Sequence, residues 1–214
     1  MPWDAKRLAR HLAAQPELTD RRVLEAIARV PRDLFVPEAY RDLAYADTAV
    51  PLAPGSTVSQ PFIVAYMTQA ARVAPGDRVL EVGTGSGYQA AVLAELGAEV
   101  YTIERSSALA EAAKARLEAL GYDRVHVRAG DGAEGWPEAA PFDAILVTAH
   151  SPEIPPALVA QLAPGGRLVI PLGPPEAQRL ESFVKNEEGT LHPETRIPVR
   201  FVPLVPGASE EAAP

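Results

Sequence analysis

The chain has no cysteine in its 214 residues. It therefore has no disulfide, no thiolate metal ligand and no cysteine nucleophile, which excludes several classes of enzyme. Long hydrophobic runs are also missing, since no stretch is long enough for a membrane-spanning helix, and the N-terminal sequence MPWDAKRLARHLAAQ lacks the apolar core of a signal peptide. These absences favour a cytoplasmic protein with no membrane partner.

Basic residues are scarce relative to acidic ones. Lysine and arginine number 20 against 28 aspartates and glutamates, which gives a net charge of −8. A nucleic-acid backbone is bound by a basic face, so this balance argues against a nucleic acid as the main partner. The four histidines are scattered without the spacing of metal ligands, so no metal site is predicted.

Short β-branched runs alternate with helical stretches along much of the chain. The runs DRVLEVG, AEVYTIE and DRVHVRAGD are separated by helical stretches at 87–96 and 107–120, and FDAILVT follows. This order predicts an α/β fold with a mostly parallel sheet that has helices on both faces. Strand-like runs around Gly189 and Thr190 predict an antiparallel pair that finishes the sheet.

The length favours a single compact unit. Its parts are a helical segment with an irregular connection at 1–56, the main domain at 57–206, and a disordered tail at 207–214. Apolar positions at helical spacing predict helices over 4–14 and 20–29. The connection after them, at about 36–58, is rich in Pro, Gly and Asp, and we expect it to lie over a site.

A glycine loop follows one of the predicted strands. In VLEVGTGSGYQAAVLAEL the strand ends at Gly83, Gly85 and Gly87 and a helix begins, which is typical of a nucleotide-type cofactor loop. The third glycine comes one residue too early for a dinucleotide fingerprint, and a pyrophosphate would gain little from the carboxylate of Glu81. A cofactor with an ammonium group and a sulfonium cation would gain from it, which points to S-adenosylmethionine.

Acidic residues end the next two strands. Glu104 lies about 20 residues after the first glycine, the usual spacing for a carboxylate that binds two ribose hydroxyls. Asp131 in AGDGAEGW is placed to accept a hydrogen bond from an adenine amino group, and Gly132 keeps the backbone close. Taken singly, these residues are also explained as a turn or as solvated strand-end charges. Taken together, they predict that the ends of three consecutive strands contact one cofactor.

Ser59 precedes Pro61 in TVSQPFIVAYM, which by itself is typical of a helix N-cap followed by proline in the first turn. Its context favours another role. Through RVPRDLFVPEAY, TVSQPFIVAYM, VLEVGTGSGYQ, PFDAILVTAH and RFVPLV, the chain resembles the protein-L-isoaspartate O-methyltransferases, which methylate isoaspartyl residues in damaged proteins. The resemblance extends over about residues 29–205, and its Ser-Gln-Pro and Phe-Val-Pro-Leu segments are more specific than the glycine loop.

The resemblance implies a Rossmann-like S-adenosylmethionine-dependent methyltransferase fold in which 57–206 is the methyltransferase domain. It implies that Ser59 is the catalytic serine. The residues implied to contact the substrate are Thr57, Val58, Gln60, Arg200 and Val202. The residues predicted to bind the cofactor are Glu81, Gly83, Thr84, Gly85, Ser86, Gly87, Glu104, Asp131 and Gly132.

The implied reaction transfers a methyl group from S-adenosylmethionine to the free carboxylate of an L-isoaspartyl or D-aspartyl residue. S-adenosylhomocysteine is the other product, and the methyl ester leads through a succinimide to repair. The predicted partners are isoaspartyl peptides and damaged proteins. The protein itself is predicted to be a monomer. Three alternatives remain open: a methyltransferase for another acceptor, a non-catalytic protein with this fold, and a nicotinamide dehydrogenase, which the early third glycine and Glu81 disfavour.

Overall fold

The structure is a computed structural model that describes residues 4–209. Its α-helices are α1 (Ala5–Leu12), α2 (Arg21–Arg29), α3 (Pro61–Ala71), α4 (Tyr88–Glu95), α5 (Ser107–Ala119) and α6 (Pro156–Gln161). Its strands are β1 (Val50–Ala53), β2 (Ser56–Val58), β3 (Arg78–Val82), β4 (Glu99–Glu104), β5 (Val125–Ala129), β6 (Phe142–Val147), β7 (Leu162–Leu172), β8 (Arg179–Lys185) and β9 (Leu191–Pro198). Short 3₁₀ helices lie at Arg32–Leu34, Glu38–Leu43, Gly132–Glu134 and Pro137–Ala139.

The main sheet has the strand order β5-β4-β3-β6-β7-β8-β9. Strands β5, β4, β3, β6 and β7 pair in parallel, whereas β8 pairs antiparallel with both β7 and β9. The turn between β8 and β9 places Gly189 at φ 84°. The predicted α/β class and the antiparallel finish of the sheet are confirmed.

The central strands are apolar because both faces of the sheet are covered. On β3, Val79 packs into the core cluster that also contains buried residues of α3 and α4. Leu80 and Val82 of the same strand belong to the cluster on the other face, together with Leu158 of α6. This alternation fixes the register of β3 and therefore the place where the chain leaves the sheet at Gly83.

The predicted N-terminal helices are present as α1 and α2. Each begins at an aspartate, since the Asp4 side chain accepts a hydrogen bond from the Arg7 amide and the Asp20 side chain accepts one from the Arg22 amide. An ion pair of 2.6 Å between Arg29 and Glu95 joins α2 to α4. The connection that follows α2 contains 3₁₀ turns and the antiparallel hairpin β1–β2.

After β9, residues 199–209 run back along the carboxyl ends of the parallel strands, and we call this segment the C-terminal strap. The amide of His150 donates to the Val202 carbonyl at 2.8 Å, and the amide of Leu204 donates to the His150 carbonyl at 2.7 Å. Further along, the amide of Ser209 donates to the Arg105 carbonyl at 2.9 Å. Residues 207–209 of the predicted tail are thus bonded to the domain, and 210–214 lie outside the described residues.

Between residues 4 and 209, no helix is both long enough and apolar enough to cross a bilayer.

Candidate active site

A cavity of about 770 Å³ lies at the carboxyl ends of β3, β4 and β6. The hairpin β1–β2 and the start of α3 form one wall, and the C-terminal strap forms another. The predicted site residues that line it are Thr57, Val58, Ser59, Gln60, Glu81, Gly83, Thr84, Gly85, Ser86, Glu104, Gly132, Arg200 and Val202. Carboxyl ends of parallel strands are the usual ligand edge of such a sheet.

The glycine loop needs glycine for its backbone and for its close contacts. Gly83 and Gly85 have φ values of 97° and 51°, in the left-handed region that other residues rarely adopt. A Cβ on Gly83 would overlap the side-chain oxygen of Thr148. That oxygen donates to the carbonyls of Val82 and Gly83 at 2.9 and 2.8 Å, so the end of β6 holds the loop in place.

Gly87 is outside the residues that line the cavity. It precedes α4 with a φ of 87°, and a Cβ there would lie 3.1 Å from a methyl carbon of Leu117 on α5. Its structural role is therefore the close packing of α4 against α5. Its predicted contact with the cofactor stays a prediction.

Glu81 is fully buried beneath the glycine loop. Its Oε2 accepts a hydrogen bond of 2.6 Å from the Thr102 hydroxyl, while its Oε1 has no partner within the described residues. Burial raises the pKa of Glu81 to about 8, against the opposing effect of the Thr102 hydrogen bond, and the charge of Glu104 adds to the rise. A buried carboxyl with one free oxygen suits a cationic ligand group.

Hydroxyl groups connect this carboxyl to the glycine loop. The Thr84 hydroxyl lies 2.7 Å from that of Thr102, and both residues are buried. The Ser86 hydroxyl accepts a long hydrogen bond of 3.4 Å from the Tyr88 amide at the start of α4. Thr84 and Ser86 thus stabilise the loop from within as well as lining the cavity.

Glu104 supports the loop with both of its oxygens. Oε2 accepts a hydrogen bond from the Gly85 amide at 2.9 Å, and Oε1 accepts one from the Ser106 amide at 3.1 Å. Each carboxylate oxygen can accept a second hydrogen bond, so capacity remains for two hydroxyl donors. The side chain lines the cavity, as a ribose-binding residue must.

Asp131 is outside the residues that line the cavity. Its Oδ1 accepts from the Ala133 amide at 2.9 Å, and its Oδ2 accepts from the amide of Gly207 in the C-terminal strap at 2.7 Å. The neighbouring Gly132 does line the cavity, and a Cβ on it would overlap Val82. The hydrogen bond between Asp131 and an adenine stays a prediction. Each carboxylate oxygen of Asp131 already accepts one hydrogen bond, so the adenine amino group would donate to a second lone pair of one of them.

The interpretation of Ser59 as a helix N-cap is wrong. The cap position of α3 is Gln60, which makes no capping side-chain bond, and Pro61 follows as the first helical residue. The Phe62 amide donates instead to Oδ1 of Asp47 at 2.8 Å. Asp47 therefore accepts the hydrogen bond that an N-cap serine would accept. Ser59 lines the cavity and makes no hydrogen bond through its hydroxyl within the described residues.

Sequence reasoning missed several residues of the site. Thr148 follows β6 at the same edge as Glu81 and Glu104, so strand ends were a usable signal for it. Tyr88 and Gln89 also line the cavity from the first turn of α4, directly after the glycine loop. No spacing rule points to Asp47, because its contact with α3 is made across an irregular connection.

The strand order, the antiparallel finish and the glycine loop at the end of β3 define the Rossmann-like fold of S-adenosylmethionine-dependent methyltransferases. Residues 4–209 match the family described as Protein-L-isoaspartate(D-aspartate) O-methyltransferase (PCMT). The chain belongs to this family.

Similar proteins agree with the family match. Protein-L-isoaspartate O-methyltransferase of Opitutus terrae is 57% identical over 188 residues, which cover 88% of this chain and 81% of that protein. Protein-L-isoaspartate O-methyltransferase 1 of Anaeromyxobacter sp. is 56% identical over 204 residues, covering 94% and 95%.

Two solved structures share the fold. One protein-L-isoaspartate O-methyltransferase has a TM-score of 0.84 at 30% identity, and the match covers 93% of this chain and 65% of that one, so the chain spans about two thirds of that protein. A Plasmodium falciparum structure of this kind, in complex with S-adenosyl-L-homocysteine, has a TM-score of 0.81 at 26% identity, covering 95% and 99%.

Proposed function

We propose that this chain transfers a methyl group from S-adenosylmethionine to the free carboxylate of L-isoaspartyl residues, and also of D-aspartyl residues, in damaged proteins. Membership of the family supports the reaction. The observation that carries the proposal is that Ser59 and the glycine loop line one cavity. The acceptor side and the cofactor side of a methyl transfer therefore meet at one place.

The residues at the strand ends fit the cofactor. Glu81 offers a buried oxygen that has no partner among residues 4–209, which suits a cationic methionine end, and Glu104 keeps acceptor capacity for ribose hydroxyls. Gly83, Gly85 and Gly132 line the cavity without a side chain, so a ligand can approach their backbone closely. When bound, S-adenosylmethionine would supply a methyl group on a sulfonium sulfur that is open to attack by an oxygen nucleophile.

The protein's contribution is placement of the acceptor carboxylate. A free carboxylate titrates near pH 4 and is already ionised at neutral pH, so this site needs no general base. The Ser59 hydroxyl donates a hydrogen bond that orients one carboxylate oxygen and leaves the other to attack. The peptide is held between two walls of the cavity, with Thr57, Val58 and Gln60 on one and Arg200 and Val202 on the other.

Methyl transfer to matched peptides tests this function. We expect methyl transfer from labelled S-adenosylmethionine to a peptide with L-isoaspartate at one position, and none to the same peptide with L-aspartate there. Transfer to neither peptide, despite binding of the cofactor, would refute the proposal. It would favour another acceptor or a protein without catalytic activity.

The raised pKa of Glu81 predicts that cofactor affinity depends on pH. With a pKa of about 8, the carboxyl holds its proton at neutral pH in the empty cavity, and a cationic ligand favours its ionised form. Binding at neutral pH should therefore release a proton. Affinity should rise with pH, by up to about tenfold per unit below the pKa of Glu81, until the ammonium group of the cofactor begins to lose its own proton. Calorimetry in buffers with different ionisation enthalpies measures the released proton.

The Glu81→Gln variant is the control for this prediction. It cannot ionise, so its affinity for the cofactor should be weaker and independent of pH through this range, with no proton released. If the native protein binds S-adenosylmethionine without proton release and with constant affinity between about pH 6 and about pH 8, Glu81 does not change its charge on binding.

A further inference from the structure

Asp47 makes two contacts with the segment that carries Ser59. It lies in the connection between the 3₁₀ helix Glu38–Leu43 and β1. Its Oδ1 accepts a hydrogen bond from the Phe62 amide at 2.8 Å, and its backbone carbonyl accepts one from the Gln60 side chain at 3.1 Å. One residue thus holds the chain on the C-terminal side of Ser59 at two points.

The start of α3 depends on this outside acceptor. A helix begins with amides that have no partner inside it, and Pro61 at the first position removes one of them. The next amide is that of Phe62, and Gln60 at the cap position makes no capping side-chain bond. The Asp47 carboxylate satisfies that amide and also lies at the positive end of the helix dipole.

A buried arginine fixes the segment that contains Asp47. Arg32 is fully buried, and its Nη2 donates to the carbonyl of Thr48 at 3.2 Å. Its guanidinium carbon lies 4.9 Å from the ring centroid of Tyr88, the first residue of α4. Burial lowers the pKa of Arg32, while the negative charge of Asp47 is among the influences that raise it.

Through these contacts, the acceptor side of the cavity is tied to the cofactor side. Arg32 connects the start of α4, directly after the glycine loop, to Thr48, and Asp47 next to it connects to the start of α3. The two walls that carry Ser59 and the glycine loop therefore have a common support in the connection. A shift of that support would change the distance between the acceptor oxygen and the methyl group.

We propose that Asp47 is a positioning residue for methyl transfer, which holds Ser59 and Gln60 in register with the cofactor loop by serving as a remote cap of α3. The proposal rests on the proposed function above. Asp47 acts through the backbone of α3 and takes no part in bond making. Its loss should therefore affect alignment of the acceptor more than binding of the cofactor.

Two variants of Asp47 test the inference. In Asp47→Ala we expect kcat with an isoaspartyl peptide to fall roughly ten- to a hundredfold, the scale expected when reacting groups are misaligned. The dissociation constant of S-adenosylhomocysteine, measured by calorimetry, should stay within about twofold, because the cofactor loop is unchanged. Asp47→Asn keeps an oxygen acceptor for the Phe62 amide and should recover most of the lost turnover.

Hydrogen exchange gives a readout that does not depend on activity. The Phe62 amide should exchange faster in Asp47→Ala than in the native protein, and at nearly the native rate in Asp47→Asn. Asp42→Ala is the matched control, since Asp42 is an exposed aspartate of the 3₁₀ helix Glu38–Leu43, just before the connection that contains Asp47. We expect native turnover and native exchange in that variant.

Several results would overturn the inference. Native turnover in Asp47→Ala would do so, as would an equal loss in Asp47→Asn, or a loss of cofactor affinity as large as the loss of turnover. If Asp47→Ala is too unstable to assay, Asp47→Glu moves the acceptor by one methylene and should lower kcat at unchanged cofactor affinity, whereas native kcat would contradict the inference. A native protein that binds the cofactor without methylating the isoaspartyl peptide would instead refute the proposed function.

Discussion

Replacing Gly83 by alanine is expected to abolish useful cofactor binding. Gly83 has a φ of 97°, and an added Cβ would overlap the Thr148 oxygen that holds the loop to β6. Backbone strain and overpacking each cost about 1 to 3 kcal/mol. Movement of the loop relieves the backbone strain, and turning the Thr148 side chain to relieve the overlap breaks its hydrogen bonds to the loop. The dissociation constant of S-adenosylhomocysteine should therefore rise about a hundredfold or more, as calorimetry can measure.

The chain offers a matched control for this variant. Gly121, after α5, has a φ of 78° and open space where a Cβ would lie. Gly121→Ala therefore introduces similar backbone strain without the overlap and away from the cavity. It should lower thermal stability but leave cofactor affinity unchanged. Native affinity in Gly83→Ala, or an equal loss in both variants, would contradict the role given to the loop.

Replacing Ser59 by alanine is expected to lower kcat/KM for an isoaspartyl peptide. The loss of transition-state stabilisation should be about 1 to 3 kcal/mol, the scale of a hydrogen bond to a charged group. This corresponds to roughly a 5- to 150-fold loss. The serine makes no capping bond, so stability should hardly change. The affinity for S-adenosylhomocysteine should also be unchanged, because the hydroxyl is assigned to the acceptor.

A serine outside the cavity lining provides the comparison for Ser59. Ser107 is the first residue of α5, and Ser107→Ala should keep native kcat/KM. Steady-state kinetics with the two variants separates a specific hydroxyl effect from a general one. Native kcat/KM in Ser59→Ala would show that the backbone of the segment, and not the serine hydroxyl, orients the acceptor.

The sheet could be predicted from the sequence because local patterns determine it. Runs of β-branched residues, the glycine loop and the turn at Gly189 each depend on neighbours in the chain. The acidic strand ends could be placed at one edge for the same reason, since parallel strands bring their carboxyl ends together. Glu81 and Glu104 line the cavity as expected.

Contacts between distant segments could not be predicted in this way. Asp47 caps α3 from 15 residues away, across the hairpin β1–β2, and the bond between Asp131 and Gly207 spans 76 residues. Neither follows a periodic pattern, and each depends on how loops pack onto the finished sheet. The N-cap interpretation of Ser59 was wrong because the rule for helix caps considers only residues next to the helix in the sequence. The acceptor here comes from another segment.

The position of the C-terminal strap has a consequence for how the protein is made. A ribosome synthesises residues 199–205 after every strand of the sheet, yet these residues form one wall of the cavity. Folding during synthesis proceeds from the N-terminus, so the sheet can assemble while the pocket still lacks that wall. A message cut short after the codon for Pro198 would encode all the strands and still yield a protein with an incomplete pocket.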